Sequence, residues 1–134
     1  MTVYRCAAIA LLVTAVAGCA SMTASSRTDK FEQTARAYER FMRWGEFQNA
    51  YALAGAPPGA LPDFPRLQNI RVTSYELLGA PQANADASQI AQVVEIRYVH
   101  LHQMSERRVV DRQQWTYAAD NDRWKLQSPF PVFP

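Results

Sequence analysis

An α+β fold, with N-terminal helices packed on a curved, cone-like antiparallel sheet of about four strands, is predicted by three features of this 134-residue chain. Apolar residues recur at helical spacing between Phe31 and Met42. Four prolines then crowd the segment Ala56–Pro65, and beyond it β-branched and aromatic residues alternate with polar ones as far as Leu126. Helices followed by strands place the helical layer on one face of a single sheet.

The first helix is expected to open at Asp29, which with Glu32 has the N-cap and N3 spacing of a capping-box variant. Phe31, Ala35, Tyr38 and Met42 form its apolar stripe, flanked by Phe41, while Glu32–Arg36 and Glu39–Arg43 pair on the opposite face. Gly45 interrupts it, and Phe47, Ala50, Tyr51 and Ala54 mark a second, shorter helix before Gly55. The prolines of Ala56–Pro65 fix φ and remove donors, so this stretch reads as a stiff crossover loop. Strands are expected over Ile70–Leu78, Ile90–Leu101, Arg107–Ala118 and Arg123–Gln127. Ala80–Ser88 reads as a mobile polar loop, Met104-Ser105 as a tight turn and Ala119–Asp122 as the clearest turn.

With Gln103 opposite Glu106, alternation sorts the two long strands cleanly. One face collects Val94, Ile96, Tyr98, His100, Val109, Asp111, Gln113, Trp115 and Tyr117, joined by Trp124 and Leu126 if Ala118 pairs with Arg123. The other carries Glu95, Arg97, Arg112, Gln114 and Thr116 and is solvated. The apolar face must lie under the helix bearing Phe31, Tyr38 and Met42. It reads as plain core, or as a pocket in which Tyr98, His100, Asp111 and Gln113 are the convergent polar groups, lined by Trp115, Tyr117 and Trp124. In this register Tyr98 stands opposite Asp111.

The N-terminus carries an address. One positive charge precedes the apolar run Cys6–Val16, which is too short for a bilayer span of about 20 residues and suits a secretory segment. It ends in Val16-Ala17-Gly18-Cys19, which resembles the lipobox of bacterial lipoproteins, where cleavage before the cysteine leaves its thiol to be lipidated. The resemblance implies a signal peptide over 1–18, lipid attachment at Cys19, a flexible tether over 19–28 and one domain over 29–134. On random-coil scaling the tether reaches roughly 15–18 Å. The two cysteines are then both accounted for, so the domain holds no disulfide and depends on its own core. A lipoprotein of this kind faces the periplasm of a bacterial envelope. Ala20 and Ser21 after the cysteine favour the outer membrane by the enterobacterial sorting rule.

Removal of Arg5 leaves a net charge of about +1, and no basic stripe or helix-turn-helix pattern argues for nucleic acid. Arg107-Arg108 reads as a solvated strand end. His100-x-His102 could share a metal on one strand face, but a zinc site needs three or four ligands and only Glu106 and Asp111 are near. No cofactor or metal is therefore expected, and no phosphate-cradling or nucleophile-elbow motif occurs.

A helix pair, a proline-rich crossover and a curved sheet closing in Trp115-x-Tyr117…Arg123-Trp124-x-Leu126 resembles the nuclear transport factor two-like superfamily, which includes ketosteroid isomerase-like and polyketide cyclase-like proteins. The resemblance covers Asp29 to the C-terminus and implies a cone with a pocket between sheet and helices, and a sheet-paired homodimer. Two uses are expected of the anchored domain. The first is a non-catalytic binding or scaffolding module of the envelope, with an envelope protein or a small apolar ligand as partner. The second is a ketosteroid isomerase- or dehydratase-type enzyme using Asp111 with Tyr98 or His100. Contact surfaces are expected at Pro57–Pro65, at Ala80–Ser88 and at the tail Phe130-Pro131-Val132-Phe133, whose phenylalanines are either exposed or packed across the sheet edge.

Overall fold

The computed structural model describes residues 7–134, with side chains from Thr23 onward. Met1–Cys6 and the side chain of Cys19 lie outside the described residues, and so does the expectation of processing and lipidation there.

Three helices precede the sheet: α1 (Ala7–Arg43), α2 (Phe47–Leu53) and α3 (Phe64–Leu67). α1 buries Phe31, Tyr38 and Met42 and half-buries Ala35 and Phe41, as their spacing predicts. Its start differs from expectation. The helix runs unbroken through Asp29, so Asp29 is not an N-cap, and Thr23–Thr28, expected as flexible tether, are helical. The reason is tertiary: Trp124 Nε1 donates to Arg27 O at 3.0 Å and Arg27 stacks over Tyr117, which holds this turn against the sheet. α1 ends at Gly45, which takes φ +72° so that Gly45 N bonds Met42 O and Glu46 N bonds Phe41 O. Gly55 ends α2 with φ +78°, and a Cβ there would come within 3.0 Å of Lys125 Cγ on the last strand. The proline segment is a loop until Phe64, where α3 begins with Pro65 in its first turn and Asp63 Oδ1 accepting from Arg66 N.

The strands are β1 (Ile70–Leu77), β2 (Gln82–Ala83), β3 (Gln89–His100), β4 (Glu106–Ala118) and β5 (Arg123–Leu126). They form one strongly curled antiparallel half-barrel in the order β1-β3-β4-β5, with β2 extending the β1 edge of β3. The fold is α+β, with the helices packed against the sheet. The segment Ala80–Ser88 is more structured than expected: besides β2, Asn84 Oδ1 accepts from the amides of Ser88 and Gln89, and Ala87 is buried. Asp122 closes the last turn with φ +55°.

The β3–β4 register differs from expectation by four residues. Val99 opposes Glu106, Tyr98 opposes Arg107 and Asp111 opposes Val94, so Tyr98 and Asp111 are not cross-strand partners. The connection is correspondingly longer than a two-residue turn. β3 stops at His100 because Ile70 pairs with it from β1 and Asn69 O takes the amide of Leu101. The chain then turns through Leu101–Ser105, with Gln103 N and Met104 N both on His100 O and Met104 at φ +52°. A slip of four is even, so every side chain keeps its expected face. Ala118 does pair with Arg123, which brings Trp124 and Leu126 onto the inner face.

Candidate functional site

Along the inner face the polar side chains fall into three levels. Where β4 turns into β5, Tyr117 is half-buried and its hydroxyl bonds Asp122, which also receives Lys30 Nζ. Trp124 is buried with Phe31 against it at 5.2 Å.

The middle level is a closed polar knot under α1. Gln113, wholly buried on β4, satisfies all four of its amide valences. Its Nε2 donates to Asp111 Oδ2 at 2.7 Å and to Tyr75 Oη at 3.0 Å, and its Oε1 accepts from Gln92 Nε2 at 2.7 Å and Trp115 Nε1 at 3.0 Å. Burial pushes the Asp111 carboxyl up to about 6, and the bond from Gln113 only partly offsets this. Burial likewise raises the Tyr75 and Tyr38 phenols, with the Asp111 charge adding to both. Tyr38 Oη is the one buried side-chain polar atom without a partner among the described residues. Trp115 and Gln113 are each no more than 1% exposed, and Tyr75, Asp111 and Gln92 are buried with them.

The rim level lies where β3 ends and β4 begins. Tyr98 Oη donates to Pro134 O at 2.8 Å, His100 Nε2 to the same oxygen at 2.9 Å and Arg107 Nη1 at 2.9 Å. Gln103 Oε1 fixes the other amino group of Arg107 at 2.8 Å. The phenylalanines of the tail are not exposed: Phe130 packs on Tyr38 and Tyr51, and Phe133 on Tyr98 at 5.0 Å and Phe47 at 5.5 Å. The proline-rich tail folds over the mouth because its two rings complete a core that the short helices leave open.

The acid–base pairing expected of Asp111 with Tyr98 or His100 is therefore not formed; Asp111 belongs to the knot and the other two to the rim. His100 and His102 do not converge either, since His102 Nε2 meets Asn69 Oδ1 at 3.2 Å. No group of three or more metal-ligating side chains occurs among the described residues. Sequence reasoning missed Arg107, Tyr75, Gln92 and the Tyr38 hydroxyl. Arg107 could have been found from its inward parity on β4, the same parity as Asp111 and Gln113.

Two open grooves adjoin the rim. One, of about 190 Å³, is lined by Leu61, Arg66, Leu67, Ile70, Phe130 and Val132; the other, of about 550 Å³, by Trp44, Leu67, Ile70, Arg71 and Leu101. They share Leu67 and Ile70. Leu61, Val132 and Trp44 are each at least 70% exposed, which makes this end of the molecule the place where apolar side chains meet solvent around a common floor.

Comparison with protein-family models, with curated proteins and with solved structures returns no match. No helix among the described residues is long and apolar enough to cross a membrane.

Proposed function

We propose that this chain is a lipid-anchored lipoprotein of the periplasmic side of a bacterial envelope that acts by binding, without catalysis, through the end of the domain that carries the two grooves. The observation that carries this reading is the pair of apolar grooves sharing Leu67 and Ile70, rimmed by exposed Leu61, Val132, Trp44 and Leu101. The anchor is Cys19 of the lipobox-like Val16-Ala17-Gly18-Cys19. The helix between Cys19 and Arg43, about 36 Å at the usual rise, then holds the groove end away from the lipid surface and toward an envelope protein. Anchoring confines the module near its partner, so modest affinity suffices. The outer membrane is the proposed address. The curled sheet under helices is the arrangement on which a nuclear transport factor two-like ancestry, and a sheet-paired homodimer, are proposed.

The second reading is an isomerase or dehydratase, favoured by one observation, the buried Asp111 beside the Tyr75–Gln113 pair. It weighs less because substrate would have to enter a knot whose members are already bonded to one another.

The test places a photo-crosslinking residue at Leu61 or Val132 of the anchored chain and of a Cys19→Ala form. A discrete envelope adduct from the anchored form, unaltered by Asp111→Asn, is expected. Loss of the cellular phenotype on Asp111→Asn, in a variant that still folds and still crosslinks, would sink the binding reading in favour of the enzyme.

A further inference from the structure

β1 is an edge strand of the sheet, and one stretch of its outer side is open. Asn69 O accepts from Leu101 N, so Asn69 and Arg71 turn their backbone groups toward β3 while Ile70 and Val72 turn theirs away. Beyond Val72 a bulge interrupts the ladder, and at Tyr75 the outward carbonyl accepts from Arg43 Nη2 at 3.0 Å. Among the described residues no hydrogen bond reaches the outward N–H and C=O groups of Ile70 and Val72. Such a stretch is a template for one more strand.

The open stretch is a wall of the groove of about 550 Å³, which Trp44, Leu67 and Leu101 complete. Ile70 and Val72 send their side chains into the core, and Arg71 between them is exposed. A strand laid on this edge places alternate side chains over the Trp44–Leu67 side and beside Arg71. The charged side chains lining the groove are Arg43 and Arg71, both cations. Glu39 already pairs with Arg43 at 2.8 Å, whereas Arg71 has no ion pair among the described residues. The groove therefore lacks an acid, and an incoming segment can supply one.

We propose that the open edge at Ile70–Val72 takes an extended segment of the partner, alternating apolar and acidic residues, as an added β-strand. The proposal rests on the reading of the chain as an envelope binding module and names the kind of segment it binds. The added strand runs antiparallel to β1, as every other pairing in this sheet does, because that pairing is the stronger per residue. Its backbone pairs with Ile70 and Val72, its apolar side chains enter the groove over Trp44 and Leu67, and its acid meets Arg71. Backbone pairing fixes where the segment lies, and the cation selects its charge.

The experiment uses the full-length chain in detergent and a capped, fluorescent peptide Leu-Asp-Val-Asp-Leu, read by anisotropy and by amide hydrogen exchange of Ile70 and Val72. Saturable binding is expected, with exchange at these two amides slowed about tenfold. Methylating the backbone nitrogens of the peptide's leucines and valine, which face β1, should abolish both effects. Methylating those of its aspartates, which face away, should leave both. Lysine in place of aspartate, or Arg71→Glu at its exposed position, should weaken binding about tenfold. No binding up to about 1 mM peptide, binding that survives methylation of the leucines and valine, or full affinity in Arg71→Glu overturns the proposal. Slow exchange at Ile70 and Val72 without peptide, relieved on dilution, places a second copy of the chain on the edge and overturns it too. If an adduct forms from Leu61 or Val132 and the peptide fails, this proposal falls alone. If the peptide binds as described and no adduct forms, the edge site stands and the envelope-partner reading falls.

Discussion

The knot around Gln113 and the rim around Pro134 share β3, β4 and one sheet face, with β1 adding Tyr75 to the knot, yet they use polarity in opposite ways. In the knot, Asp111, Gln92, Tyr75 and Trp115 direct their polar atoms at one amide, and nothing from outside is required. At the rim, three donors satisfy an oxygen borrowed from a remote segment. The difference follows from depth. Under α1 an unmatched polar group has no water to turn to, and of the buried side-chain polar atoms there all but the Tyr38 hydroxyl find an internal partner. At the rim His100 and Arg107 also reach solvent, so their donors do not depend on an internal partner.

Three measurements break or sharpen that contrast. The largest effect belongs to Trp115, which carries the contacts with Phe31 and Tyr38 as well as a bond into the knot. Trp115→Ala should cost about 3–5 kcal/mol in urea unfolding, and a loss under about 1 kcal/mol would mean the middle level is not core.

Asp111 comes next. Its folded-state value of about 6 lies above the ordinary 3.8, so folding favours the protonated form. The domain should be most stable below about pH 4 as far as this group is concerned. It should lose stability as pH rises through about 6, by up to roughly 3 kcal/mol. Asp111→Asn, which keeps an acceptor for Gln113, should remove that slope and leave the variant the more stable protein near neutrality. A wild type whose urea midpoint is flat between about pH 4 and 6 would place Asp111 in water and open the knot.

Tyr38 gives the smallest effect. Its hydroxyl is buried without a partner, so Tyr38→Phe should stabilise by about 1 kcal/mol, read as a higher urea midpoint. A loss of similar size would show that the hydroxyl has a bound partner in solution.

Much of this was legible from residue order. The stripe Phe31–Met42 announced a helix with one buried face, and Gly45 its end, because helical period and a left-handed stop are local properties. Alternation named the inner face of β3 and β4 correctly even though the register was four residues out, since an even slip exchanges neighbours without turning any side chain over. For the candidate site that slip was decisive. It separated Asp111 from Tyr98 and set Arg107 in its place, and a strand end that read as solvated became the cationic member of the rim.

By itself the sequence determined what each segment is and which way its side chains point, for these are set by backbone sterics and a period of two or 3.6 residues. Only the tertiary structure decided which residues meet. The β3–β4 register hangs on Asn69 and Ile70 holding β3 from its other edge, and α1 is fixed ahead of Asp29 by Trp124 and Tyr117. The burial of Phe130 and Phe133 depends on an opening left between helices and sheet, with Tyr38, Tyr51, Phe47 and Tyr98 as its walls. A proline-rich tail has no period to reveal such contacts. They arise where distant segments close around the same apolar volume, and free energy of burial is a property of that volume and not of any one stretch of chain.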